Sequence, residues 1–340
     1  MQSPAHTNIF NNLARSGIPA FKLINDELVQ VKELLDDELA DCSEPVCRLV
    51  EHLNMQRGKM IRPGLVLLSY HAIGDVSREK KTQQEAIHIA AIAEMMHNAT
   101  LLHDDVIDEG KKRRGLPTVN SLWGNESAVL LGDLLLSRVF NMCTNLEPRF
   151  HKILAAAAAR TCKGELRQII QRQNWQLSEP EYIDIITEKS AAFFSSCCRL
   201  GALLAGAGET EVELLADFGL NIGIAFQITD DLLDIVGDER KTGKASGNDA
   251  ERNNLTLAVI HLLSTVDEGE KDMVKGKLTT PREGKEDLAE MLRCYGSLEY
   301  ARSRAHEFVE KAIRVLAGLK ESNAKDALIE TARFITHRAV

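Results

Sequence analysis

Aromatic side chains make up only 5% of the 340 residues, and runs of alternating apolar and polar positions are hard to find. That scarcity speaks against a β architecture. Proline is rare too, with eight in all and none between 181 and 280, and most fall between helical patterns. No Pro/Gly/Ser-rich linker divides the chain. These features predict a single all-α domain over 1–340, one large helical bundle. Cysteine is present as an odd seven with no CxxC pair, so neither a zinc site nor a disulfide framework is expected. The expectation is reduced cysteines in a cytoplasmic protein. No apolar run approaches the roughly 18 residues of a transmembrane helix, and the first 21 residues lack the apolar core of a signal peptide. Basic excess is missing as well: 41 basic against 50 acidic residues leave a net charge of −9. Nucleic acid is therefore not the expected main partner. An anionic substrate would have to be met by a local basic patch or by metal ions.

What the chain does have is a segment at 85–108, EAIHIAAIAEMMHNATLLHDDVID, without Gly or Pro. Its composition predicts one long helix. It ends in Asp104, Asp105 and Asp108. Asp104 and Asp108 fall about 40° apart on one helical face, one turn from each other. Carboxylates this close repel one another unless a cation lies between them. Residues 223–234, GIAFQITDDLLD, repeat the spacing with Asp230, Asp231 and Asp234, again at the end of an apolar helix. Two such clusters facing each other would form an all-oxygen site for hard divalent cations. Mg2+ suits it, because this ion takes one or two carboxylates and completes its shell with substrate phosphates.

Cations lie near both clusters. Lys59 and Arg62, in RGKMIRP, flank a helix start that Pro63 favours, a geometry that attracts anions. His97 precedes Asp104 by seven residues and shares its face. Lys111, Lys112, Arg113 and Arg114 form a basic loop three residues after the first cluster. Arginine grips phosphate oxygens in a bidentate way that lysine does not. Residues 126–140 read as a buried helix, and 153–159 (ILAAAAA) as a thin one suited to close packing. Glu165 and Gln168 stand one turn apart; a polar pair facing the cavity is one reading, and spacing alone favours the surface. Lys189 opens a small-residue apolar helix. Residues 237–254 are Gly-rich and charged, and Lys241 and Lys244 there would suit a lid closing on an anion. A di-iron bundle is suggested by Glu85-x-x-His88 and Glu94-x-x-His97, but the two pairs lie on one helix about 180° apart and cannot converge.

With these residues in view, the sequence resembles the trans-type (all-E) isoprenyl diphosphate synthases, from about residue 55 to 260. GKMIRP is similar to the family's GKxxRP. LLHDDVID resembles its first aspartate-rich motif, and RRGLPTVN the segment after it. LLGDLLL, GEL, the Lys189 helix, GIAFQITDDLLD and KTGKASGND follow in family order. The resemblance implies an isoprenoid-synthase bundle, usually dimeric. It further implies Mg2+ on Asp104, Asp108 and Asp230, with Asp105, Asp231 and Asp234 supporting. Arg113, Lys189, Gln227, Lys241 and Lys244 would contact the allylic diphosphate. Lys59, Arg62, His97 and Arg114 would hold isopentenyl diphosphate. The chain departs from the family at Asn253, Asn254 and Ala258, where Gly-Lys and a later Pro are common, and at Ser190, where Thr is common. A basic residue is thus missing behind the second cluster.

The implied activity is repeated condensation of an allylic diphosphate with isopentenyl diphosphate. Product length would be set one turn upstream of Asp104, where Ala99 and Thr100 are small, with Met96 as a deeper partial floor. Small residues there imply a long-chain trans-polyprenyl diphosphate, such as a quinone side chain, whose lipid character could draw the protein to membranes peripherally. The alternatives are a short-chain (geranylgeranyl or farnesyl) synthase, a terpene cyclase, or a partner subunit of the same fold.

Overall fold

Helix boundaries in this chain often follow its glycines and prolines, as at Gly124, Pro148 and Gly296. The computed structural model describes residues 18–73, 80–236, 254–279 and 285–337. A short 3-10 turn, Pro19–Ile24, leads into α1 (Asn25–Glu38), α2 (Glu44–Met55) and α3 (Ile61–Ala72). The central helix α4 runs Lys80–Ile107, starting one turn earlier than its sequence pattern. Ala86, Ile89, Ala90, Ala91, Ile92 and Ala93 on it have no exposed surface, so it is apolar all round and belongs at the middle of the bundle.

The predicted basic loop is a tight hairpin, with β1 (Lys112–Arg113) pairing antiparallel to β2 (Leu116–Pro117). Its two-residue turn, Arg114 and Gly115, takes positive φ at both positions (53° and 80°), the conformation that matches strand twist. Then follow α5 (Val119–Trp123), α6 (Asn125–Cys143), α7 (Pro148–Ile170) and α8 (Glu179–Ile186). α8 opens with a Ser178/Glu181 capping box. A π-turn, Thr187–Ala191, carries Lys189 and passes into α9 (Ala192–Leu204). The second long helix, α10 (Glu209–Val236), is followed by α11 (Leu257–Thr265), α12 (Glu268–Thr279), α13 (Lys285–Cys294), α14 (Ser297–Val315) and α15 (Asn323–His337).

α4 packs on α6 and α3, α9 on α10 and α3, and α10 on α14. The larger core surrounds α4 and α9, and a second gathers α11, α13 and the end of α10. The all-α expectation is met. The bundle's tightest seams are made where side chains are absent. A Cβ at Gly164 of α7 would fall 2.2 Å from the Lys189 backbone nitrogen, so only glycine lets α7 press onto the π-turn.

Four expectations are corrected. α6 is amphipathic rather than buried, because Leu130 and Phe140 are 67% and 71% exposed. The alanines of α7 are not a packing stripe, since Ala155, Ala156 and Ala159 face outward. Cys42 and Cys47 form a disulfide, with Cα atoms 5.5 Å apart across the turn between α1 and α2. A search for CxxC pairs passes over this spacing of five. Finally, Glu209–Ile235 is long and apolar enough to cross a membrane by length and composition, with 67% of its apolar window buried in the bundle. The charged stretch with Lys241 and Lys244 lies outside the described residues.

Candidate active site

Both aspartate clusters sit at helix C-termini, Asp104 to Asp108 at the end of α4 and Asp230 to Asp234 at the end of α10. The helix macrodipole is negative there, so carboxylates raise the cost instead of lowering it. Arrangements that cost stability persist where a cation is to be bound. Both ends look toward one cation: the guanidinium of Arg62 lies within electrostatic range of both Asp104 and Asp230.

The middle carboxylate of each cluster is held by the protein. Asp105, 5% exposed, accepts from Arg113 Nη2 at 2.8 Å and from Nε at 3.0 and 3.1 Å. Asp231 accepts from the Tyr182 hydroxyl at 2.6 Å and from Gln227 Nε2 at 2.8 Å. The other end of the Gln227 amide accepts from Ser190 at 2.6 Å. Arg113 and Gln227, expected on the diphosphate, are therefore engaged by Asp105 and Asp231. Tyr182 was not picked out from the sequence at all, because its partner is 49 residues away. Arg113 is pulled down by burial, but its bonds and attraction to Asp105 overbalance this and keep it firmly protonated.

Asp104 is where charge is most strained. Desolvation by burial, with Glu165 and Asp108 adding repulsion, pushes its carboxyl from an ordinary 3.8 up to about 7, against the pull of Lys189 and Arg113. Lys189 is opposed by burial, yet Glu165 and Asp104 raise it, so it stays charged. Its Nζ lies 2.7 Å from Glu165 and donates to Gln168 Oε1 at 2.5 Å. Glu165 is 9% exposed. The surface assignment of Glu165 and Gln168 is thus corrected: α7 turns both inward onto the π-turn. Neither residue carries an apolar-face signal strong enough to have shown this.

A second basic group stands behind the first. Arg62 is flanked by Phe193 and Phe194 rings, 5.2 and 5.0 Å from its guanidinium carbon. Burial lowers its pKa, while Glu94, Asp230 and Asp104 keep it charged. Its buried Nε has no hydrogen-bond partner among the described residues. A buried cationic donor without a partner is a vacancy that an anion satisfies. Arg114 donates to the Gln56 carbonyl and lies against Gly58, where a Cβ would come within 2.4 Å of its Nη2. Lys59 Nζ stands 4.8 Å over the Phe334 ring of α15. His97 is partly buried on α4. Nearby Glu94, 4% exposed, has its pKa raised by burial against the attraction of Arg62, Arg114 and Arg57. His88 instead turns to the Met142 carbonyl at 2.9 Å, so the two Glu-x-x-His pairs do not assemble an iron site.

Among the described residues, no three Asp, Glu, His or Cys side chains close around one point as a ready-made metal cage. The donor chemistry still fits a hard divalent cation: all oxygen, anionic, incomplete, and set beside cations able to bring in phosphate oxygens. Upstream on α4, Ala99 is wholly buried, Met96 is 4% exposed, and Thr100 is partly open, its hydroxyl bonded to the His97 carbonyl at 2.8 Å.

Comparison with known proteins agrees with this geometry. The polyprenyl synthetase family profile matches residues 43–295. A short chain isoprenyl diphosphate synthase of Methanothermobacter thermautotrophicus is 32% identical over 329 residues, covering 93% of this chain and 98% of that protein. Heptaprenyl diphosphate synthase component 2 of Geobacillus stearothermophilus is 34% identical over 326 residues, covering 94% and 98%. The polyprenyl synthase of Caulobacter crescentus, complexed with calcium and isoprenyl diphosphate, superposes with a TM-score of 0.88 at 29% identity, over 94% and 97% of the chains.

Proposed function

Since the chain belongs to the polyprenyl synthetase family and is a prenyltransferase acting on allylic and isopentenyl diphosphates, we propose that it elongates an allylic primer repeatedly to a long-chain trans-polyprenyl diphosphate, with Mg2+ as its divalent cation. The observation that carries this reading is the division of labour in the two clusters. Asp105 and Asp231 are bound to Arg113 and Tyr182, while Asp104 is the carboxylate that burial and its acidic neighbours leave most strained, with the charged Lys189 and Arg62 in electrostatic reach.

Asp104, Asp108 and Asp230 would hold the cation, which supplies Lewis-acid stabilisation to the leaving diphosphate. The protein does the rest. Lys189, held charged by Glu165, adds fixed positive charge where the leaving group's negative charge develops. Arg62, with Arg114, Lys59 and His97, anchors the second diphosphate, so that two carbons are brought together rather than left to collide. Phe193 and Phe194 shield the space beside Arg62 from water, as a carbocation requires. No serine, cysteine or histidine nucleophile is needed.

Length control rests on Thr100. Ala99 is sealed in the core, so a bulky residue there would overpack it. Thr100 is partly open, and Thr100→Phe is expected to shorten the product by one or more isoprene units, read by chromatography. An unchanged length would remove Thr100 from this role. We also propose a homodimer. Leu130 and Phe140 of α6 are exposed, as are Leu166 and Ile170 of α7 (60% and 75%), and such apolar surface is suited to a second copy.

The test is to incubate the purified protein with Mg2+, isopentenyl diphosphate and farnesyl diphosphate, and to size the products. A ladder ending at a long polyprenyl supports the proposal. Arrest one unit beyond the primer overturns the long-chain reading, and absence of product with any primer favours a partner subunit.

A further inference from the structure

The pattern this chain resembles places a lysine at the position of Asn254, and the chain has none there. The fold brings a different cation to that spot. Arg172 lies just beyond α7, two residues past its last helical position. The next residue, Gln173, adopts a left-handed φ of 61°, which reverses the chain. Arg172 Nε donates to Asn254 Oδ1 at 3.4 Å, and its Nη2 stands 3.7 Å from Asp108 Oδ1. Asn254 itself is only 7% exposed. One guanidinium therefore joins an outer carboxylate of the first cluster to the residue that follows the second. The pairing is chemically selective. An amide oxygen at 254 accepts from a guanidinium, whereas a lysine ammonium there would repel it. Asn254 and Arg172 are complementary choices at one place.

We propose that Arg172 binds the diphosphate of the allylic substrate, supplying from the end of α7 the positive charge that position 254 does not carry. Arg172 has five N–H donors, and the two contacts described leave others for phosphate oxygens. Its side chain is 29% exposed, so it stands at the rim, where a diphosphate would enter, and not in the core. The inference rests on the proposed prenyl-transfer reading for the identity of the anion.

The test compares Arg172→Gln, Arg172→Lys and the double variant Arg172→Gln/Asn254→Lys with the parent protein. Two quantities are measured: KM for each substrate, and the Kd of inorganic pyrophosphate with Mg2+ by calorimetry. Arg172→Gln is expected to raise the pyrophosphate Kd and the farnesyl diphosphate KM about tenfold, the size of one lost hydrogen bond to a charged group. KM for isopentenyl diphosphate should not move. Adding Asn254→Lys should recover most of the loss, and Arg172→Lys should stay within about threefold of the parent because it keeps the charge. The proposal is overturned if Arg172→Gln matches the parent, if both KM values rise together, or if Asn254→Lys gives no recovery. Should Arg172→Gln not fold, Arg172→Ala and Arg172→Ala/Asn254→Lys take its place: pyrophosphate binding weakened in the first and largely recovered in the second supports the proposal, and the absence of either effect overturns it. A parent protein that makes no prenyl product would sink the functional reading instead, while the pyrophosphate arm still tests Arg172.

Discussion

Replacing Asp104 by asparagine should make the protein more stable and inactive. The carboxyl is displaced from an ordinary 3.8 to about 7, first by desolvation and then by Glu165 and Asp108. The folded carboxyl thus holds its proton more tightly than the unfolded one, so stability is lost as pH rises from about 4 to about 7 and the loss is complete above that. A displacement of this size corresponds to about 4 kcal/mol as a ceiling. Asp104 keeps part of its surface open, and screening reduces this to about 1–2 kcal/mol. In a chain of 340 residues that moves the melting temperature by about 2 °C. The assay is thermal unfolding of the parent and Asp104→Asn at pH 8 and pH 5, without metal. The variant should melt about 2 °C higher at pH 8, and the gap should narrow at pH 5, as the parent carboxyl begins to take up its proton. With Mg2+ at pH 8 the parent should gain stability and the variant gain less, because the cation then neutralises a charge the variant does not have. A variant that melts lower at pH 8, or a gap independent of pH, would refute the reasoning.

Three further outcomes follow from the same geometry. Glu165→Gln removes the carboxylate 2.7 Å from Lys189; kcat should fall at least tenfold, and the alkaline limb of its pH profile should move to lower pH as the buried ammonium loses support. An unmoved limb would show that Glu165 does not hold Lys189 charged. Tyr182→Phe deletes the 2.6 Å donor to Asp231 and should cost about 1–3 kcal/mol of stability together with a raised Mg2+ requirement; normal Mg2+ dependence would confine Tyr182 to packing. Phe140→Glu, at a residue 71% exposed on α6, should turn a dimer into monomers in sedimentation, and a monomeric parent would remove the apolar face as a dimer contact.

Local sequence was enough to determine the helices, the two aspartate clusters at their ends and the nearby cations. Periodicity, the spacing of Gly and Pro, and one-turn repeats of carboxylates are properties of neighbouring residues, and they survive without knowledge of the fold. The resemblance of those motifs to a known family then carried the chemistry. Tertiary structure alone decided which groups serve each other. Asp105 and Asp231 are tied to Arg113 and Tyr182, Glu165 is turned inward to Lys189, and Arg172 meets Asn254 across 82 positions. Cys42 closes on Cys47 because a turn brings them together, and α6 keeps one apolar face outside the bundle. Each of these depends on how helices cross and on where glycine lets them approach, as Gly164 does beneath Lys189. Spacing along the chain records the rotation of a residue about its own helix axis. It does not record what stands opposite, and that is set only when the helices pack.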